Sequence, residues 1–201
     1  MGKVIKLSVH TPEKLGLKKV RKRKRIDLED FGQLNLFSQD TTKVLALLGK
    51  KSFFEEAIEL DERGNPEAER YYLLAVENDE SVEDALCNLA ILKSSQDEAI
   101  AAVDYLTRCL KKSPRHFEAH YNLGNVYSDL GNFELAKVHY ELASQIAPEF
   151  PNSFYNLGLV LISLKEYKRA IECINHYVSL SPDTDTSTAK ELINTLDTMA
   201  Q

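Results

Sequence analysis

The sequence predicts an all-α fold: a solenoid of about four helix pairs with a C-terminal capping helix, preceded by a disordered basic arm. The leading observation is a period. The stretch 117–150 reads as two amphipathic helices joined at Gly131-Asn132 and closed by Pro148, and a shift of 34 residues lays it on 151–184. Leu123-Gly124 then falls on Leu157-Gly158, Phe133 on Tyr167, Ala136 on Ala170, Tyr140 on Ile174 and Pro148 on Pro182. A fixed period of this size marks a helical repeat array. Composition agrees, since Leu, Ala, Glu and Lys are plentiful, Trp is absent and only eight Gly occur. Charge divides the chain further. Residues 1–40 carry a surplus of five positive charges and the remainder a deficit of eleven, as expected for a basic arm on an acidic body.

The arm, 1–39, has no sustained helical or strand period. A block of like charge repels itself and resists packing, so the arm is expected to be largely disordered. Its basic run contains Lys18, Lys19, Arg21, Lys22, Arg23, Lys24 and Arg25, and three readings of it stand open. It is a solvated tail, a nucleic-acid arm that works by counterion release, or a nuclear localisation signal, and a contact with the acidic body is a further option. No aromatic residues are interleaved for base stacking.

The repeat domain is expected over 40–201. A short helix candidate at 40–48 ends before Gly49. The first pair, about 50–82, opens on the capping box Ser52-Phe-Phe-Glu55 and is degenerate, as terminal repeats tend to be. Ala57, Gly64, Ala68, Tyr72 and Ala75 keep its small and aromatic offsets. The second pair, 83–116, has Leu89-Ala90, Ala102, Leu106, Cys109 and Pro114 in place, but its turn lacks the usual glycine. The pairs 117–150 and 151–184 follow. A polar link then leads to Thr188-Ala-Lys-Glu191, read as a second capping box, and to a capping helix at about 188–200 with the stripe Leu192, Leu196 and Met199.

Cys87, Cys109 and Cys173 are odd in number and widely spaced, which argues against a disulfide framework and for a reducing compartment. The N-terminus lacks a signal-peptide core, Lys6 stands where a myristoylation signal needs Ser or Thr, and no apolar run spans a bilayer. The expected location is cytoplasmic, without membrane contact. No phosphate loop, nucleophile elbow or cofactor motif is present, so neither an enzyme nor a cofactor is expected. His116 and His120 share metal-ligand spacing but lack a third ligand, and packing is the favoured reading of both.

These residues resemble the tetratricopeptide repeat family. The resemblance covers roughly 50–184 and is most specific at His120-Tyr-Asn-Leu-Gly-Asn-Val-Tyr127 with Ala136, Tyr140, Ala143 and Pro148, and at Phe154-Tyr-Asn-Leu-Gly158 with Ala170, Ile174, Tyr177 and Pro182. It implies a right-handed superhelix whose first helices line a concave groove for a peptide or partner helix. Carried over, that groove holds Asn88, Tyr121, Asn122, Asn125, Asp129, Tyr155 and Asn156. Asn88, Asn122 and Asn156 recur at one offset as a ladder. An amide offers donors and an acceptor, so such a ladder can hold peptide backbone, although Asn is also simply common at this offset. Groove positions that carry Lys or Arg in relatives gripping acidic chaperone tails hold Asn, Tyr, Cys and acids here, which favours a neutral or basic ligand.

The function expected is a non-enzymatic protein-interaction scaffold of unspecified oligomeric state. The alternative is a nucleic-acid-associated adaptor working through the arm. Gln33, Leu34, Leu36 and Phe37 also resemble the peptide that bacterial replication and repair proteins insert into the sliding clamp. Leu28, Phe31 and Leu34 equally suit an amphipathic turn.

Overall fold

A computed structural model describes residues 12–21, 51–182 and 184–199. The expected helix at 40–48, the remainder of the arm, Lys22 to Arg25 and the clamp-like peptide Gln33 to Phe37 lie outside the described residues. Among the described residues there are nine α-helices and no strand: α1 Phe53–Glu62, α2 Glu67–Glu77, α3 Val82–Ser95, α4 Ala99–Lys112, α5 Phe117–Asp129, α6 Phe133–Ile146, α7 Pro151–Ser163, α8 Tyr167–Leu180 and α9 Ser187–Met199. The described residues fall into two compact units, one within 18–119 and the other made of 12–17 with those from 120 onward. We call them the N-terminal and C-terminal repeat units.

In the N-terminal unit α1 packs on α2, α2 on α3 and α3 on α4. The capping box forms as the sequence predicts: Ser52 Oγ accepts from the Glu55 N–H at 3.1 Å, and the Glu55 carboxylate accepts from the Ser52 N–H at 3.3 Å. Glu80, from the turn after α2, accepts from the Phe53 N–H at 2.7 Å and so satisfies a third free donor of α1. Phe54, Ala57, Ala68, Tyr72, Ala75, Ala85 and Leu89 form the core.

In the C-terminal unit α6 packs on α7, α7 on α8 and α8 on α9. Small residues set these distances, since Ala136, Ala143 and Ala170 are fully buried. Pro148 and Pro182 stand just beyond the ends of α6 and α8, and Pro151 occupies the first turn of α7, where its missing N–H costs nothing. Leu192 and Leu196 of α9 are buried as predicted. The capping box at Thr188 is corrected. The helix begins at Ser187, so Thr188 lies inside the first turn, and the Asp185 carboxylate accepts from the Ser187 N–H at 2.9 Å.

The turn inside each pair repeats one backbone conformation. Gly64, Asp97, Gly131 and Lys165 all have positive φ, of 65, 62, 72 and 64° respectively. Left-handed backbone costs a residue with a Cβ about 1–2 kcal/mol, least for Asp and Asn. Glycine gives back roughly 0.5–1 kcal/mol through its freer unfolded chain. Lys165→Gly should therefore raise stability by about 0.5 kcal/mol and Asp97→Gly by less, read as urea midpoints. A loss at Lys165 would show that its side chain, and not its backbone, decides the matter.

Candidate peptide-binding site

The first helices of the pairs carry the asparagines, and in each unit one asparagine clasps a piece of the chain's own arm. In the C-terminal unit, Asn156 of α7 accepts from the Leu15 N–H at 2.7 Å, and its amide nitrogen donates to the Leu15 carbonyl at 2.8 Å. The Tyr121 hydroxyl lies 3.0 Å from the carbonyls of both Leu15 and Gly16 and can donate to either. The Lys14 ammonium donates to Asp129 Oδ2 at 3.0 Å and to Asn125 Oδ1 at 3.1 Å. Tyr140 of α6 donates to Asn125 Oδ1 at 3.0 Å, and the Asn156 amide reaches the Tyr121 hydroxyl at 3.1 Å. Leu15 is partly buried against the apolar core beneath.

In the N-terminal unit, Asn88 of α3 accepts from the Val20 N–H at 2.9 Å and donates to the Val20 carbonyl at 2.8 Å. Its amide also reaches the Tyr72 hydroxyl at 3.2 Å, and Tyr72 donates to Asp61 at 3.2 Å. Lys19 meets the other Asp61 oxygen at 2.7 Å, and Arg21 lies 3.8 Å from Glu62. Val20 is buried at 3% exposure, and the Asp61 side chain is only 6% exposed. Residues 12–21 have no helical or strand assignment, so their backbone polar groups are available to these side chains.

Burial keeps the tyrosines protonated and able to donate. It pushes the Tyr121 phenol up to about 12, and it raises Tyr72 and Tyr140 as well, with the Asp61 carboxylate adding to the effect at Tyr72.

Of the residues singled out from sequence, Asn88, Tyr121, Asn125, Asp129 and Asn156 are found on the arm or beside it. Asn122 is completely buried in α5. Tyr155 is buried and packs its ring on Tyr177 of α8, with centroids 4.8 Å apart. Of the basic residues, Lys19 and Arg21 face carboxylates. The sequence reading missed Lys14, Leu15, Val20 and Asp61, and it took Tyr72 and Tyr140 as packing alone. A signal was present: Asp61 and Asp129, Tyr72 and Tyr140, and Asn88 and Asn156 are each separated by 68 positions, two full periods.

His116 and His120 are buried. His116 lies 3.0 Å from Asp84, and its other nitrogen accepts from the Ala119 N–H at 3.2 Å, which helps cap α5. His120 and His139 of α6 lie 3.1 Å apart between Nδ1 atoms, and the Tyr127 ring stacks on His139 with centroids 5.6 Å apart. Among the described residues no cluster of His, Cys, Asp and Glu suits a metal, and no helix is long and apolar enough to cross a membrane. Cys87 and Cys109 are buried, and burial pushes the Cys173 thiol up to about 11, so it stays protonated.

The described residues form all-α helical repeats whose amide and hydroxyl groups meet the backbone of residues 12–21. Residues 117–150 and 151–184 match two models of the tetratricopeptide repeat, and the chain is a tetratricopeptide-repeat protein. Similar solved structures share the fold at low identity. MamA from residue 41 onward, from Desulfovibrio magneticus RS-1, is 22% identical with a TM-score of 0.61 over 80% of this chain and 96% of that one. The Sgt2 TPR domain from Aspergillus fumigatus is 22% identical with a TM-score of 0.54 over 60% and 80%. The first TPR of Spaghetti (RPAP3), bound to the HSP90 peptide SRMEEVD, is 16% identical with a TM-score of 0.55 over 59% and 92%. A UDP-N-acetylglucosamine–peptide N-acetylglucosaminyltransferase of Giardia intestinalis is 24% identical over 117 residues, 58% of this chain. The chain spans only 8% of that enzyme's length.

Proposed function

We propose that the protein is a non-enzymatic scaffold whose asparagine-bearing helices hold a partner peptide in extended form, by its backbone. The observation that supports this most is the two-bond clasp of Asn156 on Leu15, since one amide that pairs with both the N–H and the C=O of a residue selects extended chain whatever its side chain. A solved structure of similar fold is bound to a peptide, which favours a peptide ligand for this chain as well. That peptide ends in acidic residues, whereas the carboxylates here face lysines, so the ligand of this chain is neutral or basic.

The nucleic-acid reading draws no support from the described part of the arm, where Lys14, Lys19 and Arg21 already lie against Asp129, Asp61 and Glu62. The test is an array of synthetic decapeptides probed with the full chain and with its Asn88→Ala and Asn156→Ala variants. Peptides that bind the parent should lose about tenfold in affinity to one variant or the other, and N-methylation of the clasped residue should abolish binding. Undiminished binding to both variants would end this reading.

A further inference from the structure

The two clasps are the same device used twice. Each combines an asparagine, a buried tyrosine beside it and an aspartate, with members 68 positions apart in the sequence: Asn88, Tyr72 and Asp61 in the N-terminal unit, and Asn156, Tyr140 and Asp129 in the C-terminal unit. Each holds the same dipeptide chemistry. In Lys19-Val20 and in Lys14-Leu15 the asparagine takes both backbone groups of the aliphatic residue, and the aspartate takes the ammonium of the lysine before it. The aliphatic side chain turns inward, with Val20 buried and Leu15 against the core. In extended chain neighbouring side chains point to opposite faces, so one faces the core while the lysine reaches the rim.

Backbone bonds alone would accept any sequence. The aspartates make the clasp selective. At Asp61 the carboxylate is almost fully enclosed, so a ligand without a cation there leaves a desolvated charge that, among the described residues, keeps the Tyr72 hydroxyl as its hydrogen-bond donor. Asp129 is more open, and its lysine also satisfies Asn125.

We propose that each clasp reads a lysine followed by an aliphatic residue, and that residues 12–21 of the chain itself are the resident occupant that an outside peptide of this kind must displace. This rests on the peptide-binding reading above and adds both the ligand's chemistry and an internal competitor. A free peptide competes here with a tethered one, whose effective concentration is set by the linker, so the intact protein should bind such peptides weakly until the arm is released.

The test uses the full chain, isotopically labelled, and a fluorescent synthetic peptide of residues 12–21. In the parent, the amides of Leu15 and Val20 should exchange with solvent at least about tenfold more slowly than in the free peptide. In the Lys14→Glu, Lys19→Glu variant that protection should fall away. The fluorescent peptide should then bind this variant about tenfold more tightly than the parent, and norleucine in place of either lysine should weaken that binding by a similar factor. Free-peptide exchange rates at Leu15 and Val20 in the parent would overturn the inference, and this measurement does not depend on any variant folding. Equal binding of the norleucine peptides would overturn it as well, by showing that lysine is not read. Either result could occur while array peptides still depend on Asn88 or Asn156, so the two readings fail separately.

Discussion

Gly124→Leu is expected to destabilise the protein by about 1–3 kcal/mol, with Gly158→Leu lower in the same range, as measured by urea denaturation. A Cβ on Gly124 would stand 2.6 Å from two ring carbons of Tyr140 and 2.9 Å from a third. Tyr140 is fully buried, and its hydroxyl is tied to Asn125, so the ring cannot swing aside without breaking a bond in the candidate site. A Cβ on Gly158 would stand 2.6 Å from Ile174 Cγ1, an aliphatic branch with no polar anchor, which can yield by rotation at lower cost. The second repeat shows how the clash is relieved. There Ala90 takes the place of Gly124, and Leu106 that of Tyr140. Gly124→Ala should accordingly lose stability alone and recover part of it with Tyr140→Leu, at the cost of the hydrogen bond to Asn125. Equal stability of Gly124→Leu and the parent would mean that α5 and α6 are paired differently.

What could be read from sequence divides along physical lines. Gly124, Gly158, Pro148 and Pro182 announce themselves because their constraints are steric and local: absence of a Cβ lets helices approach, and absence of an N–H stops them. Asn88, Asn122 and Asn156 stood out because they share the period of the fold, and of the three Asn88 and Asn156 bond to residues 12–21 whereas Asn122 is buried in α5. Their occupant did not stand out. Lys14 and Asp129 are 115 positions apart, and nothing periodic links an arm to the body it lies on. The basic run was read through its own repulsion, whereas at Lys19 and Arg21 that repulsion is met by Asp61 and Glu62. Asp61 sits in the degenerate first pair, and although it keeps the two-period spacing to Asp129, the intervening repeat has Ser95 at that offset, so no run of aspartates marks the position. The start of α9 was missed by a turn residue, since Asp185 accepts the Ser187 N–H two positions on and sets the helix going before Thr188.

Acid should loosen the C-terminal unit through His139. Burial, with a smaller contribution from the neighbouring His120, pushes the His139 imidazole down to about 4 from its ordinary 6.5. The unfolded chain therefore takes up a proton at this residue before the folded one does. Stability from this source is complete above about pH 6.5 and is lost progressively as pH falls toward 4. The gap between the two values would cap the loss at roughly 3 kcal/mol, and partial solvent access to the ring reduces it to about 1–2 kcal/mol. The structural cost is specific. A charged His139 would be largely cut off from water between the packed rings, with His120 3.1 Å away and Tyr127 stacked on it, so acid acts on this ring cluster. Thermal melts of the parent between pH 7 and 4 should show a fall in midpoint that begins below about pH 6.5. In His139→Phe, which keeps the stacking surface without the titration, that part of the fall should disappear. A variant whose melting midpoint tracks the parent's through the whole range would assign the acid sensitivity to other groups.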